Sequence, residues 1–374
     1  MQTFSFPTNI SFGAGVVSQL PQYLEKHGLK NPLIVTDAVV RNLPFFDKIL
    51  DQLTSAGVEP LVFYDINKNP VKADVISGKQ AYQSGGDSII GLGGGAALDV
   101  SRAIALSINN NRELFDYDDL IGGSALIDGP IPHFITIPTT SGTGSEVGRA
   151  AIISEDDTKR KRILFHPSLM AKQVFADPEL TYDLPPSITA ATGMDALSHH
   201  MEAFLAKGIN PMCDGIALEG IRMIFGALEG AVHRPDPKSR SEMMMASLMG
   251  AVAFQKGLGI VHSLSHPLST LLDMHHGLAN AINLPYGMEF NQEHCQPRFE
   301  RMAGVMGLKR TQDIPEALAM LNQRLELPTS LSECGVTPHH IAELAALAVD
   351  DFCLPLNPRE ATTADIESIY KKAL

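Results

Sequence analysis

Acidic and histidine side chains recur at helical spacing in the second half of the chain. Asp195 and His199 are four residues apart in a helical pattern, so both side chains point from one face of the helix. His262 and His266 repeat this spacing, and His275-His276 follows shortly after. One carboxylate with several imidazoles suits a divalent transition metal such as Fe²⁺ or Zn²⁺. The pattern therefore predicts a metal site, although spacing alone does not assign every ligand.

A glycine-rich turn lies in the first half of the chain. Ser88–Val100 predicts a strand, a tight turn through Gly93, Gly94 and Gly95, and the start of a helix. Glycines let the backbone approach a phosphate closely, and a helix N-terminus offers free N–H donors. Asp99 is expected in the first turn of this helix, where the dipole favours a carboxylate. A strand–helix turn without a ligand is equally consistent with this motif alone.

A second polar loop strengthens the case for a dinucleotide. Ile137–Val147 follows another apolar strand, and seven of its eleven residues are Gly, Ser or Thr. Open α/β sheets bind ligands at the carboxyl ends of their strands, where both loops are expected. Asp37 closes the predicted strand Pro32–Thr36, so its carboxylate could bind a ribose 2′-hydroxyl and favour NAD over NADP. Helix capping is the alternative role for Asp37.

The elements that must position these residues differ between the two halves of the chain. Residues 1–183 alternate short apolar strands with helical stretches, which predicts a doubly wound parallel sheet in an α/β dinucleotide-binding domain. Residues 184–374 carry long helical patterns and almost no strand signal, which predicts an all-helical, metal-binding domain. The strands are expected at Pro32–Thr36, Pro60–Tyr64, Ser88–Leu92, His133–Pro138 and Val174–Ala176.

Composition limits the classes of partner. The chain has 374 residues, a net charge of −13 and 44% hydrophobic residues. An acidic, apolar-rich chain argues against nucleic acid and anionic membranes as partners and against disorder. No apolar run is long enough to span a bilayer, and the first residues do not resemble a signal peptide. Four widely spaced cysteines fit free thiols, so a cytoplasmic location is expected.

Several motifs together resemble the iron-dependent (group III) alcohol dehydrogenases, a family within the dehydroquinate synthase-like superfamily that also includes glycerol dehydrogenase. The most specific stretches are Ile137–Val147, Thr192–His199 and His262–Gly277, and the similarity extends from Phe6–Gly13 to Asn357–Ala361. The resemblance implies an N-terminal dinucleotide-binding domain, a helical C-terminal domain and an active site in the cleft between them. It also implies hydride transfer between NAD(H) and a small alcohol or aldehyde.

The resemblance also implies roles for individual residues. A divalent metal, Fe²⁺ by family name with Zn²⁺ or another ion as alternatives, acts as a Lewis acid on the alcohol oxygen. His266 corresponds to a histidine near the nicotinamide and the metal, where it can relay a proton. The implied metal ligands are Asp195, His199, His262 and His276. The implied cofactor positions are Asp37, Asn69, Gly94, Gly95, Asp99, Thr139, Thr140, Thr143 and Lys161.

Three positions depart from the usual family pattern. Ala96 replaces a serine of the glycine turn, while Lys256 and Arg149 introduce cations near the metal and loop motifs. We hypothesise that Lys256 and Arg149 line the substrate pocket and favour an aldehyde with a negative group, such as a semialdehyde acid. The alternative is that each cation forms a structural salt bridge or faces solvent. The test is whether their replacement by alanine changes the preference between charged and neutral aldehydes.

Other functions stay open at this stage. A lyase or cyclase like dehydroquinate synthase, or an enzyme like glycerol dehydrogenase, would also use NAD and a metal. A metal- or nucleotide-binding protein without catalysis is a third alternative, and a metal-dependent hydrolase ranks last. A homodimer or higher homo-oligomer is expected from the resemblance, with a strand at residues 4–12 pairing across subunits. Small alcohols or aldehydes are the expected partners.

Overall fold

Two compact units make up the chain in the computed structural model, which describes residues 8–157 and 160–374. The first unit extends to Thr140 and also contains Gly144–Thr181. The second unit comprises Ser141–Thr143 and Tyr182–Leu374. A single boundary in the sequence does not describe this division, because the short segment within the Thr-rich loop belongs to the second unit.

The first unit is built on a six-stranded, fully parallel sheet with the strand order β1-β8-β5-β4-β2-β3. This arrangement confirms the predicted doubly wound parallel sheet. Short, apolar strands are expected where a sheet is covered on both faces. The strands are β1 (Asn9–Phe12), β2 (Pro32–Val35), β3 (Leu61–Phe63), β4 (Ser88–Gly93), β5 (His133–Pro138) and β8 (Gln173–Ala176).

Alternating side chains of these strands enter two separate cores. Leu33 and Ile89 belong to one apolar cluster, whereas their neighbours Ile34 and Ile90 belong to another. Successive residues of a strand point to opposite faces, so each strand supplies both cores. The helices of this unit are α1 (Leu20–Lys26), α2 (Ala38–Arg41), α3 (Pro44–Ser55), α4 (Lys72–Gln83) and α5 (Gly95–Asn109).

Two features of the first unit were not predicted from the sequence in this form. An antiparallel hairpin joins β6 (Ala150–Ser154) to β7 (Lys161–Phe165). The N-terminal strand β1 pairs in parallel with β8 of the same chain and forms one edge of the sheet. The remainder of the segment expected to pair across subunits, residues 4–7, lies outside the described residues.

The second unit is helical, and its described residues contain no strand. The sequence did not predict α10 and α11. None of the described helices alone is long and apolar enough to cross a bilayer, although one bent pair, Pro237–Lys256 with Ile260–Leu272, meets the length and composition criteria together. The helices are α6 (Pro186–Leu205), α7 (Pro211–His233), α8 (Pro237–Ala253), α9 (Ile260–Leu272), α10 (His276–Gln292), α11 (Gln296–Met306), α12 (Asp313–Arg324), α13 (Ile341–Val349) and α14 (Thr363–Ala373).

Candidate active site

The predicted metal ligands come together within the second unit. Asp195 on α6, His262 on α9 and His276 at the start of α10 offer ligand atoms that all lie within 4.8 Å of one another. His199 Nε2 lies 3.8 Å from Asp195 Oδ1, and its ring stacks on the His262 ring with a centroid distance of 4.8 Å. Three predicted ligands from three helices therefore converge on one point, and the fourth, His199, lies beside two of them.

Close packing between α6 and α10 sets the position of His276. A Cβ atom on the next residue, Gly277, would lie 2.4 Å from the Ala191 carbonyl oxygen on α6. Backbone atoms cannot move aside as a side chain does, so only glycine allows this approach. His276 is thus placed by a helix contact that a side chain at position 277 would break.

A buried carboxylate organises the start of α9. Glu202 Oε1 accepts a hydrogen bond from the Val261 N–H at 2.8 Å, and Oε2 accepts one from the His262 N–H at 3.2 Å. The His262 Nδ1 atom also contacts Glu202 Oε2. Burial lowers the pKa of His262, but the carboxylates of Glu202, Asp195 and Asp351 together outweigh this effect and raise the pKa overall.

The chemistry of these side chains fits a divalent transition metal. Burial, with smaller contributions from His262 and His200, lowers the pKa of His199 to about 4, so its imidazole is neutral at pH 7. A neutral imidazole beside a carboxylate is the ligand form that such metals bind. The Asn280 Nδ2 atom lies 2.7 Å from Asp195 Oδ1 and within 3.3 Å of two ligand imidazole nitrogens. Three atoms that can accept a hydrogen bond thus surround one amide nitrogen. Because this nitrogen carries only two hydrogens, it cannot donate a separate hydrogen to each of the three.

His266 forms a second contact group beside these ligands. Its Nδ1 atom lies 2.7 Å from Asp351 Oδ2, and the Cys353 N–H donates to the other carboxylate oxygen at 2.9 Å. Burial raises the pKa of Asp351, but the His266 charge and the hydrogen bonds lower it to about 2 overall. The His266 ring lies between the rings of His276 and Phe352, at 5.4 and 5.2 Å.

The structure corrects the predicted role of Lys256. Its Nζ atom lies 2.6 Å from Asp214 Oδ1 and 3.0 Å from the Phe204 carbonyl oxygen, and its side chain is only 2% exposed. Arg298 contacts the same carboxylate at 3.0 Å and the same carbonyl at 2.6 Å. Both cations thus hold the last turn of α6, where carbonyls lack helical partners. The Lys256 charge is used in a structural ion pair and does not line a substrate pocket.

The predicted phosphate-binding turn has the expected form in the first unit. Gly93 ends β4 with φ of 153°, where a Cβ atom would lie 2.7 Å from the Ala97 side chain. Gly94 is the N-cap residue of α5, and Gly95 is the first helical residue, so no side-chain cap covers the start of the helix. A Cβ atom on Gly94 would lie 3.3 Å from the Thr140 methyl group. The first N–H groups of α5 can therefore face a phosphate.

The other predicted cofactor residues of the first unit follow neighbouring strands. Asp37 comes after β2, Asn69 after β3 and Thr139 after β5, and these strands flank β4 or one another in the sheet. Asp37 Oδ1 caps α2 by accepting from the N–H groups of Val39 and Val40 at 2.8 and 2.9 Å. The capping role of Asp37 is thus present, and it leaves Oδ2 for other contacts.

The structure corrects the placement of Asp99. This residue lies in the second turn of α5, because the helix begins at Gly95. Its carboxylate accepts from the Ser145 hydroxyl at 2.7 Å and from the Ile152 N–H at 3.1 Å, and it pairs with Arg102 at 3.3 Å. Burial outweighs these partners and raises the pKa of Asp99. Asp99 therefore connects α5 to the polar loop and the β6–β7 hairpin.

The remaining predicted residues lie in different units. Thr143 belongs to the second unit, where the adjacent Gly142 packs against Thr192 of α6. Lys161 begins β7 in the first unit. Arg149, also in the first unit, places its guanidinium carbon 5.5 Å from the centre of a phenylalanine ring in β7.

Sequence reasoning missed three residues of the helical site. Glu202 lies seven residues after Asp195, on the same helical face, so the spacing did contain a signal. Asn280 similarly follows His276 by four residues. Asp351 carries no such signal, because it lies in a loop 85 residues from the histidine that it contacts.

The chain is similar to known proteins over nearly all of its length. The profile of the family described as iron-containing alcohol dehydrogenase matches residues 7–178, and that of the Fe-containing alcohol dehydrogenase family, C-terminal, matches residues 189–374. The chain is 39% identical to a 4-hydroxybutyrate dehydrogenase of Cupriavidus necator, with 98% of each chain covered.

Solved structures agree with this match. An alcohol dehydrogenase from Oenococcus oeni has a TM-score of 0.94 and 30% identity, and all of both chains is covered. A sulfoacetaldehyde reductase from Bifidobacterium kashiwanohense, solved in complex with NAD⁺, has a TM-score of 0.90 and 28% identity over 100% of this chain and 98% of the other. Because the two family profiles together match residues 7–178 and 189–374, the chain belongs to the iron-containing alcohol dehydrogenase family and is an oxidoreductase that acts on alcohols or aldehydes.

Proposed function

We propose that this chain transfers hydride between NAD(H) and a small primary alcohol or aldehyde that carries a negative group, with a divalent metal held by Asp195, His199, His262 and His276. The observation that carries the proposal is the proximity of these ligand atoms, with Asp195, His199 and His262 buried and His276 partly exposed. When bound, the metal supplies Lewis-acid polarisation of the substrate oxygen.

The chain's own residues hold the cofactor and move the proton. The first turn of α5 binds the pyrophosphate, supported by Gly93, Gly94 and Gly95. Asp37 binds the ribose through the carboxylate oxygen that does not cap α2. Thr139, Thr140, Thr143, Asn69 and Lys161 complete the proposed cofactor contacts.

His266 is the proposed proton carrier. Its Nδ1 atom is held by Asp351, so a neutral His266 with its hydrogen on Nδ1 presents an Nε2 lone pair to the substrate hydroxyl. The Asp351 carboxylate, whose pKa is about 2, stays charged and stabilises the imidazolium that forms. Asp351 thus positions His266 and does not itself exchange the proton.

Two relatives are named for compounds that carry a negative group, a 4-hydroxybutyrate dehydrogenase and a sulfoacetaldehyde reductase. Their names support a negatively charged substrate for this chain. Because Lys256 is used in a structural ion pair, Arg149 is the remaining predicted cation for this group. The finer substrate identity, the native metal, a homo-oligomeric state and a cytoplasmic location stay predictions.

The test uses metal-stripped protein reloaded anaerobically with Fe²⁺ or Zn²⁺. NADH oxidation is measured with a carboxylate-bearing aldehyde and an uncharged aldehyde of equal length. We expect metal-dependent turnover and a preference for the charged aldehyde that Arg149→Ala removes. Arg41→Ala is the matched control, because Arg41 also lies over a phenylalanine ring of the same unit, at 4.9 Å. No turnover with either metal, despite NADH binding, would refute the dehydrogenase proposal.

A further inference from the structure

We propose that Glu202 is a positioning residue for the metal centre, because it fixes the tautomer of His262 and the start of α9 with one carboxylate. This inference depends on the metal site of the proposed function. It assigns a role to a residue outside the ligand set.

Hydrogen-bond direction determines where the His262 proton lies. The backbone N–H groups of Val261 and His262 can only donate, and both are bound by the Glu202 carboxylate. The Nδ1 atom of His262 contacts the same oxygen that accepts its backbone N–H. A lone pair on Nδ1 would face an anionic oxygen, so the hydrogen of the neutral ring lies on Nδ1.

This tautomer leaves the opposite nitrogen free to bind a metal. With the hydrogen on Nδ1, the Nε2 atom carries the lone pair. Nε2 is the atom that faces the ligand cluster, where it lies 3.3 Å from Asn280 Nδ2. Glu202 and His262 are each only 2% exposed, so water does not compete readily for these contacts. Carboxylates that orient a ligating histidine in this way tune metal affinity.

The position of Glu202 on α6 links three parts of the site. Asp195, His199 and Glu202 follow one another at intervals of four and three residues on one helical face. One helix therefore supplies two ligands and the group that orients a third. Asn357 offers a matched control, because its Oδ1 atom accepts from the Ile260 N–H of the same helix start at 3.1 Å. Within the described part of the chain, its other side-chain hydrogen bonds are to Asn291 and the Arg359 carbonyl oxygen, and none is to a ligand imidazole.

The decisive measurement is the dissociation constant of Zn²⁺, determined by competition with a chelator for the full-length protein. We expect Glu202→Ala to raise this constant by about 10- to 100-fold, the usual range for loss of such a partner. Glu202→Gln keeps the side-chain volume but cannot accept three N–H groups with one amide oxygen, so it should also weaken binding. Asn357→Ala should lower the unfolding temperature while the zinc dissociation constant stays within about threefold of wild type, because a helix cap contributes to stability.

A second measurement needs no variant. In the zinc-loaded wild type, ¹⁵N-edited NMR should detect a hydrogen on His262 Nδ1. An unprotonated Nδ1 would overturn the inference, as would folded Glu202 variants with wild-type zinc affinity or an equal loss of affinity in Asn357→Ala. A wild-type chain that binds no divalent metal would refute the proposed function itself. Zinc binding that does not depend on Glu202 would refute only the present inference, so the two failures are distinguishable.

Discussion

Replacing Lys256 tests whether this lysine is structural. Lys256→Met removes one of two cations that contact the Asp214 carboxylate, and the Lys256 side chain is only 2% exposed. Loss of a buried partner typically costs about 3–5 kcal/mol, because the remaining charge is left uncompensated. Arg298 still contacts Asp214 at 3.0 Å, and the Asp214 side chain is 12% exposed. We therefore expect a smaller loss of unfolding free energy, about 2–3 kcal/mol.

The assay is thermal unfolding followed by circular dichroism at matched metal loading, because bound metal itself raises the unfolding temperature. A loss of this size corresponds to a fall of roughly 4–12 °C for a domain of the second unit's length. The ratio of kcat/KM for charged and uncharged aldehydes should stay at the wild-type value.

Lys238→Met is the control, because this lysine lies in the same unit with its side chain 82% exposed. It should change the unfolding temperature by less than about 2 °C, as is usual for surface positions. An unchanged unfolding temperature in Lys256→Met, together with a loss of preference for the charged aldehyde, would refute the structural assignment.

Three further predictions concern other parts of the molecule. Burial, partly offset by Arg102, raises the pKa of Glu146 to about 7. Between pH 4.5 and 7 the folded state therefore keeps a proton that the unfolded state has lost. The free energy of unfolding falls as the pH rises through this range. Glu146→Gln should thus leave the urea midpoint nearly unchanged at pH 5 but stabilise the chain at pH 8 by on the order of 1–3 kcal/mol; equal effects at both pH values would contradict this reasoning. Gly277→Ala should reduce zinc affinity and unfolding temperature, because its Cβ atom would meet the Ala191 carbonyl oxygen at 2.4 Å, whereas Gly304→Ala, with nothing within 4 Å, should change neither. Chelator treatment should lower the unfolding temperature reversibly. The corresponding loss of unfolding free energy is about 4 kcal/mol if the free metal concentration had been about a thousandfold above the dissociation constant. An unchanged unfolding temperature would argue against a metal site.

Local sequence determined the strands of the parallel sheet, the main helices and the chemistry available at the site. β2, β4 and β5 were predictable, because a strand covered on both faces needs a continuous apolar run. The shared face of Asp195 and His199 followed from helical periodicity alone. The β6–β7 hairpin was not predicted, because its strands are not continuous apolar runs: β6 ends in Ser154, and β7 begins with Lys161 and Arg162.

Tertiary structure decided which of these chemically capable side chains act together. Lys256 is 42 positions from Asp214, and His262 is 60 positions from Glu202, so each pair comes into contact only when the helices pack. Lys256 shows the consequence, because the sequence offered a cation near the metal motifs and packing placed it on a buried carboxylate. Residue type and local spacing determine what a side chain can do and which face of its helix it occupies. The partner that a side chain finds depends on contacts between distant segments, which are established only when the cores of the fold are packed.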